Sequence, residues 1–140
     1  MNFEDKKNVI IIDSSLDRGV VANVASILSI SLGSQIEGLV GPAVHDHDGA
    51  IHQGLTRLPV PILGATTEEI KNIRKRFVEL ETEEKFLFDF STFAQEARSY
   101  DEYIQLISKA AGNEIVYLGI ALIAGKKAIN KSTKGLTLIQ

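Results

Sequence analysis

Two stretches of the chain are apolar without interruption. Lys7 to Asp13 reads K-N-V-I-I-I-D, and Ile115 to Ala124 reads I-V-Y-L-G-I-A-L-I-A. Neither alternates with polar residues, which predicts strands buried on both faces, as at the centre of an α/β sheet. The second run is too short to cross a membrane. Gly119 inside it signals a bend or a close backbone approach.

Other stretches carry a helical period. Val21, Val24, Ala25, Leu28 and Leu32 predict a helix over Val20–Ser34, with Gly33 as a stop. Ala22, Ile27 and Ile30 make its other faces apolar too, and no charged residue occurs from Gly19 to Gln35. A solvent-facing helix normally carries charge on its outer face. Its cover is therefore another segment of the chain, a second subunit, or a ligand over Asn23 and Ser26. Thr66 and Glu69 have capping-box spacing ahead of the stripe Ile70, Ile73, Phe77 and Leu80. The basic run Lys71–Arg76 reads as the solvated face of that helix. Further helices are predicted from Ser91, and from Ser99 with Glu102 onward.

Shorter strands are predicted at Ile36–Val40, Val60–Leu63, Phe86–Phe90 and Leu136–Ile139. Asp48-Gly49 marks a hairpin between Ala43 and Gly54. Gly125–Ser132 reads as a loop and a short helix. The alternation of strands and helices implies one α/β domain over residues 1–140, three-layered around a central mixed sheet.

Composition narrows the function. The chain has no cysteine, which excludes disulfides, thiolate zinc sites, thiol nucleophiles and iron–sulfur clusters. A net charge of −3 argues against a general nucleic-acid coat protein. The charged start Met1–Lys7 lacks the apolar core of a signal peptide, so a cytoplasmic protein is expected.

Three groups of residues carry candidate chemistry. The turn Asp13–Gly19 lies where a strand enters a helix, a position at which α/β sheets bind ligands. Asp13, Gly19 and Asn23 are ligand-binding candidates there, although Asp13 and Asp17 can equally cap the turn, and no phosphate-loop glycine pattern is present. The second group is His45-Asp46-His47-Asp48 with His52. Asp46 and His52 form either a polar ligand site or a structural hairpin, and no third metal ligand is evident. The third is Lys126, Lys127, Lys131 and Lys134, with Asn130 among them. From Ile115 to Gln140 there is no acid, so this segment carries +4 against −7 elsewhere, a pattern that makes either an anion-binding face or a solvated surface helix. No metal and no other cofactor is expected. There is no nucleophile-elbow sequence and no H-E-x-x-H.

Several segments resemble one bacterial family. They are D-S-S-L-D-R-G-V-V-A-N at Asp13–Asn23, G-P-A-V-H-D-H-D-G-A-I-H at Gly41–His52, P-V-P-I-L at Pro59–Leu63, D-F-S-T-F-A-Q at Asp89–Gln95, Y-D-E-Y at Tyr100–Tyr103, and L-G-I-A-L-I-A-G-K-K-A-I-N-K at Leu118–Lys131. Their order and spacing resemble the domain of unknown function 2000 over nearly the whole chain. That family is similar in fold to the second class of peptidyl-tRNA hydrolases, small and often dimeric α/β proteins that cleave the ester between a peptide and tRNA without a metal. The resemblance implies a peptidyl-tRNA hydrolase II-like fold more strongly than an activity. Leu16, Gly19 and Ala22 match the leucine, glycine and alanine of the hydrolase signature, with Asn23 standing for its glutamine. Val20 replaces the signature lysine, which removes the cation that would hold a phosphate or an oxyanion.

The leading expectation is a protein that binds a small polar or anionic ligand. Its site would be one mouth formed by Asp13–Asn23, the His45–His52 hairpin and Lys126–Lys131. The alternative is an ester or amide hydrolase, with Asp89 or Asp17 as base, Asn23 as oxyanion donor and Lys126 as a phosphate contact. A third reading is a structural homo-oligomer. A homodimer is expected in each case, and tRNA is disfavoured as a partner.

Overall fold

The computed structural model describes the whole chain, Met1–Gln140. In chain order the strands and helices are β1 (Lys6–Asp13), α1 (Arg18–Gln35), β2 (Val44–His45), β3 (Ile51–His52), β4 (Ile62–Ala65), α2 (Thr67–Glu79), β5 (Phe86–Ser91), α3 (Thr92–Glu96), α4 (Tyr100–Ser108), β6 (Tyr117–Gly125) and α5 (Lys126–Ser132). The two uninterrupted apolar runs become β1 and β6, and they lie side by side at the centre of a sheet ordered β4-β1-β6-β5. β4 runs parallel to β1, whereas β6 is antiparallel to both β1 and β5. The sheet is therefore mixed, and helices flank it on both faces.

The alternation of β1 divides the core. Ile10 and Ile12 face α1, where they meet Val24, Leu28 and Leu32. Val9 and Ile11 face the other way, onto Ile70, Ile73 and Phe77 of α2 and Ile129 of α5. Each such side chain contributes about 1.5–3 kcal/mol when fully buried. Helix α1 sits close because β6 carries Gly119 beneath it. A Cβ at that position would lie 2.7 Å from Val24 Cγ1, so the glycine marks a close approach. Helix α2 begins with the reciprocal Thr66–Glu69 capping box. It ends on the ammonium of Lys85, which donates to the carbonyls of Phe77, Val78 and Leu80.

Several expectations change. Ile36–Val40 is not a strand: Ile36 and Leu39 are buried, Gly38 turns at φ +80°, and Val40 makes a single bridge to Thr56. The expected strand at Val60 starts at Ile62, because Pro59 and Pro61 have no N–H with which to extend the ladder. The expected last strand is one bridge, Leu63–Leu138, along the outer edge of β4. The outer face of α1 is covered by nothing in this chain, and Ile30 is 71% exposed. The hairpin forms as β2 and β3, but as a separate two-stranded arm exposed along its length. Gly41 and Gly54 pinch its base so tightly that a Cβ on Gly54 would overlap the Gly41 carbonyl.

Candidate functional site

The strand directions separate the expected mouth into distinct places. β1 ends at Asp13, and α1 starts just beyond it. β6 runs the opposite way, so Gly125 pairs with Lys6, and Lys126 and Asn130 lie at the start of β1. Eight extended residues put the two ends of β1 roughly 23 Å apart. The Asp13–Asn23 segment and the Lys126–Lys131 segment therefore do not form one site. The antiparallel pairing of β6, which sequence patterning does not reveal, is the reason.

At the Asp13 end the carboxylate is committed locally. Asp13 Oδ1 accepts from Ser15 N at 2.9 Å and from Ser15 Oγ at 2.8 Å. This closes the turn before α1, with Asp17 as N-cap making no side-chain cap bond. Asn23 is exposed on α1, and its neighbour Val24 is the buried residue. The glutamine of the hydrolase signature D-L-x-x-G-K-x-A-x-Q stands five residues after its glycine, which from Gly19 falls on Val24, so the assignment to Asn23 is corrected. Gly19 has open space around its Cα.

On the hairpin arm, Asp46 is the organising residue. Its Oδ1 accepts from Asp48 N and Ala50 N, and its Oδ2 lies 2.8 Å from His52 Nε2. The bond to His52, followed by the backbone donors, holds the Asp46 carboxyl below its ordinary value. These contacts shape the turn. No three His, Asp or Glu side chains come together as a metal-binding group.

Asp89 is likewise engaged. Its Oδ2 accepts from Arg74 Nε at 3.0 Å. The Arg74 guanidinium also lies over the Tyr117 ring, 4.6 Å from its centroid. Arg74 is thus turned inward rather than solvated, a correction to the reading of Lys71–Arg76 as an outer face. Burial, with Asp89 next, raises the Tyr103 phenol above its ordinary value, and burial also raises Tyr117. Asp89, Tyr103 and Ile27 line a cleft of about 400 Å³ at the β5 edge. Asp17, Asn23 and Lys126 do not line it, so the hydrolase set does not converge.

The residues that do converge lie at the start of β1. Because β4 begins only at Ile62, the edge of β1 at Lys6–Asn8 has no neighbouring strand. Ile10 N donates to Pro61 O at 3.0 Å, but Asn8 N, on the same edge, meets no carbonyl. A pocket of about 500 Å³ wraps this bare edge. Lys6, Lys7, Asn8, Lys126 and Asn130 line it, with Glu4 beside them. Phe3, Leu58, Pro59 and Pro61 supply its apolar wall. Two of the expected ligand residues, Lys126 and Asn130, therefore lie here, while Lys127 is exposed and does not line the pocket.

The charges here are unevenly paired. Lys6 Nζ lies 2.9 Å from Asp5 and 3.4 Å from Glu84. Its bond to Asp5 raises the Lys6 ammonium above its ordinary value and is the main cause lowering the Asp5 carboxyl. Lys7 Nζ donates to Asn130 Oδ1 at 2.8 Å. Neither Lys7 nor Lys126 has a carboxylate within 4.0 Å. Asn8 is 1% exposed, and neither its Oδ1 nor its Nδ2 has a hydrogen-bond partner. Sequence reading missed Lys6, Lys7 and Asn8. The available signal was an asparagine two residues before Ile10, on the core-facing register of an otherwise apolar strand.

Known proteins add a family and a fold. No curated protein matches the chain. A solved structure of a protein of unknown function from Agrobacterium tumefaciens, Atu0240, matches with a TM-score of 0.80 at 24% identity, covering 96% of this chain and 97% of that one. At that identity the likeness speaks to fold alone. The family model described as protein of unknown function, DUF2000, matches residues 6–140. The chain belongs to the DUF2000 family.

Proposed function

We propose that the protein binds a small anionic ligand in the pocket at the start of β1. The observation that carries this reading is the pair Lys7 and Lys126, two ammonium groups on one pocket with no carboxylate partner. A pocket of about 500 Å³ suits a metabolite-sized molecule. Glu4 and Asp5 flank the lysines and disfavour a long polyanion, which is consistent with a small ligand rather than tRNA. The reading includes no metal and no catalytic step.

The test is calorimetric titration with inorganic phosphate and phenyl phosphate at low ionic strength. The Lys7→Ala/Lys126→Ala double variant is expected to weaken binding about tenfold or more. Lys134→Ala, which removes a lysine outside the pocket, is the charge control. Equal binding by the double variant and the wild type would remove the assignment.

A second reading is homodimer formation, favoured by the uncovered outer face of α1 with Ile30 and by Leu55, 81% exposed at the base of the arm. Light scattering is expected to give twice the chain mass, and a monomer at high concentration would exclude it. We also propose a cytoplasmic location. No helix is long and apolar enough to cross a membrane. A peptidyl-tRNA hydrolase II-like fold is supported by the mixed sheet with helices on both faces. Hydrolysis of peptidyl-tRNA is disfavoured by Val20 and by the engagement of Asp89 with Arg74.

A further inference from the structure

The far edge of the sheet carries a second cleft, and it too holds polar groups without partners. β5 is the outermost strand on the side away from β4, so the cleft of about 400 Å³ along it lies across the sheet from the lysine pocket. Its floor is the outer face of α1 at Ile27 and Ser31, within the stretch that has no charged residue. Phe90 and the edge-to-face pair Tyr100–Tyr103, with ring centroids 5.7 Å apart, supply its walls. Two groups of opposite charge open onto this apolar space. Arg98, exposed just ahead of α4, has no carboxylate within 4.0 Å. Asp89 gives only Oδ2 to Arg74, in a single bond from Nε. Its Oδ1 accepts nothing, and the side chain is 20% exposed. Burial, and after it the Asp89 charge, raises the Tyr103 phenol, so Asp89 lies within electrostatic reach of the first turn of α4.

We propose that this cleft is a second binding site and takes a free α-amino acid with a large apolar side chain. The carboxylate pairs with the Arg98 guanidinium, the ammonium donates to Asp89 Oδ1, and the side chain lies on Ile27, Phe90 and the tyrosine rings. The inference goes beyond the anion site at β1 and does not rest on it. Arg98 is a long, exposed side chain with no bond to break, and its fork of N–H donors matches a carboxylate with two parallel bonds. Asp89 and Arg74 offset each other, so Arg98 leaves the cleft with one positive charge. The carboxylate is therefore the stronger handle. The ammonium is the selective one, because a ligand without it leaves Asp89 Oδ1 against an apolar body. A cleft of about 400 Å³ is at the small end for ligand sites, which fits a molecule of this size.

The experiment uses the wild-type chain with three probes: L-phenylalanine, L-phenylalanine amide and 3-phenylpropanoate. All three bring the same ring, but the second lacks the carboxylate and the third lacks the amine. Calorimetry is expected to show phenylalanine bound about tenfold or more tightly than either. The chain has no tryptophan, and two of its three tyrosines line the cleft, so tyrosine emission gives a second readout. Arg98→Gln is expected to bring phenylalanine down to the level of its amide, and Asp89→Asn toward that of 3-phenylpropanoate. Asp89 also holds Arg74, so its variant can lose stability, and the probe series on unaltered protein answers the question without it. Equal affinities for the three probes, or no binding of phenylalanine up to its solubility limit, overturn the proposal. A preference for phenylalanine that survives Arg98→Gln overturns it as well, because the carboxylate is then held elsewhere.

Discussion

The two ends of β1 each bury a polar side chain, and they treat it in opposite ways. At one end Asp13, 8% exposed, has its carboxylate bonded to both the backbone N–H and the hydroxyl of Ser15. At the other, Asn8 is buried more deeply and bonded to nothing. At the Asp13 end β1 hands over to α1, a kind of place where α/β sheets bind ligands. Yet its polar atoms are spent on closing a turn. At the Asn8 end β6 hands over to α5 at Gly125–Lys126, but there a neighbour strand is missing, two ammonium groups have no carboxylate and an amide is unspent. A strand enters a helix at both ends, and the hydrogen bonds separate them: one end has spent its polar groups on a turn and the other has not.

The largest effect expected is on what both ends share. Gly119 lets α1 rest on the sheet, and a valine there would press on Val24 and Leu28. Gly119→Val is expected to cost about 3 kcal/mol through overpacking. Denaturant melts would show the loss, and it would degrade the turn at Asp13 and the pocket at Asn8 alike. An unchanged midpoint would mean that α1 can lift without cost, and that the spacing of the layers is not fixed by this glycine.

Next in size is Asp13→Ala. It deletes the acceptor for two donors at Ser15, with an expected loss of about 1–3 kcal/mol. Asp13→Asn keeps one acceptor oxygen and should recover part of that loss. If Asp13 instead serves a ligand, Asp13→Ala would hold the melting temperature while changing binding, and the contrast between the two ends would disappear. Asn8→Leu is the matching change at the other end, and its expected sign is opposite. Replacing an unpaired buried amide by an apolar side chain of similar size is neutral or stabilising, by up to about 1 kcal/mol. A clear destabilisation would mean that Asn8 has a structural partner, most simply a bound water.

Much of this frame could be read from the residues, because the strongest signals act locally. The unbroken apolar runs made β1 and β6 central, the Thr66–Glu69 spacing started α2, Asp48-Gly49 turned the hairpin, and Gly119 marked a close approach. The failures are long-range. Nothing in the spacing of Gly125-Lys126 says that β6 returns antiparallel and lays Lys126 beside Lys7 rather than near Asp13. The turning inward of Arg74 needs Asp89 and Tyr117, which lie 15 and 43 residues away and meet it only once α2 packs on β5 and β6. Ile36 and Leu39 have the apolar character of a strand, but Gly38 at positive φ breaks the extension and the two side chains simply plug the core. Asn8 was visible as a letter, but its lack of partners is a property of the packed neighbours, including two prolines that supply no N–H.

The smallest expected effect concerns the ion pair beside Asn8. Lys6 joins the Phe3–Asp5 turn to the sheet through Asp5, and their bond lowers the Asp5 carboxyl and raises the Lys6 ammonium. A depressed acid contributes stability above its unfolded value, near 3.8, and loses it as pH falls through the lower folded value. A raised base contributes below its unfolded value, near 10.5, and loses it as pH climbs through the higher folded value. The pair therefore acts across the whole neutral range and fails only outside both limits. Because Asp5 is solvent-exposed, salt screens the contact and the change in global stability should be slight. Its trace is expected in hydrogen exchange: below pH 3.8 the amides of Glu4 to Lys6 should lose protection before those of Ile10 to Ile12, and added salt should shrink the difference. Asp5→Asn should produce the same local loosening at about pH 7. If exchange in the Phe3–Asp5 turn ignores both acid and Asp5→Asn, the ion pair does not hold that wall of the pocket, and the apolar contact of Phe3 does so alone.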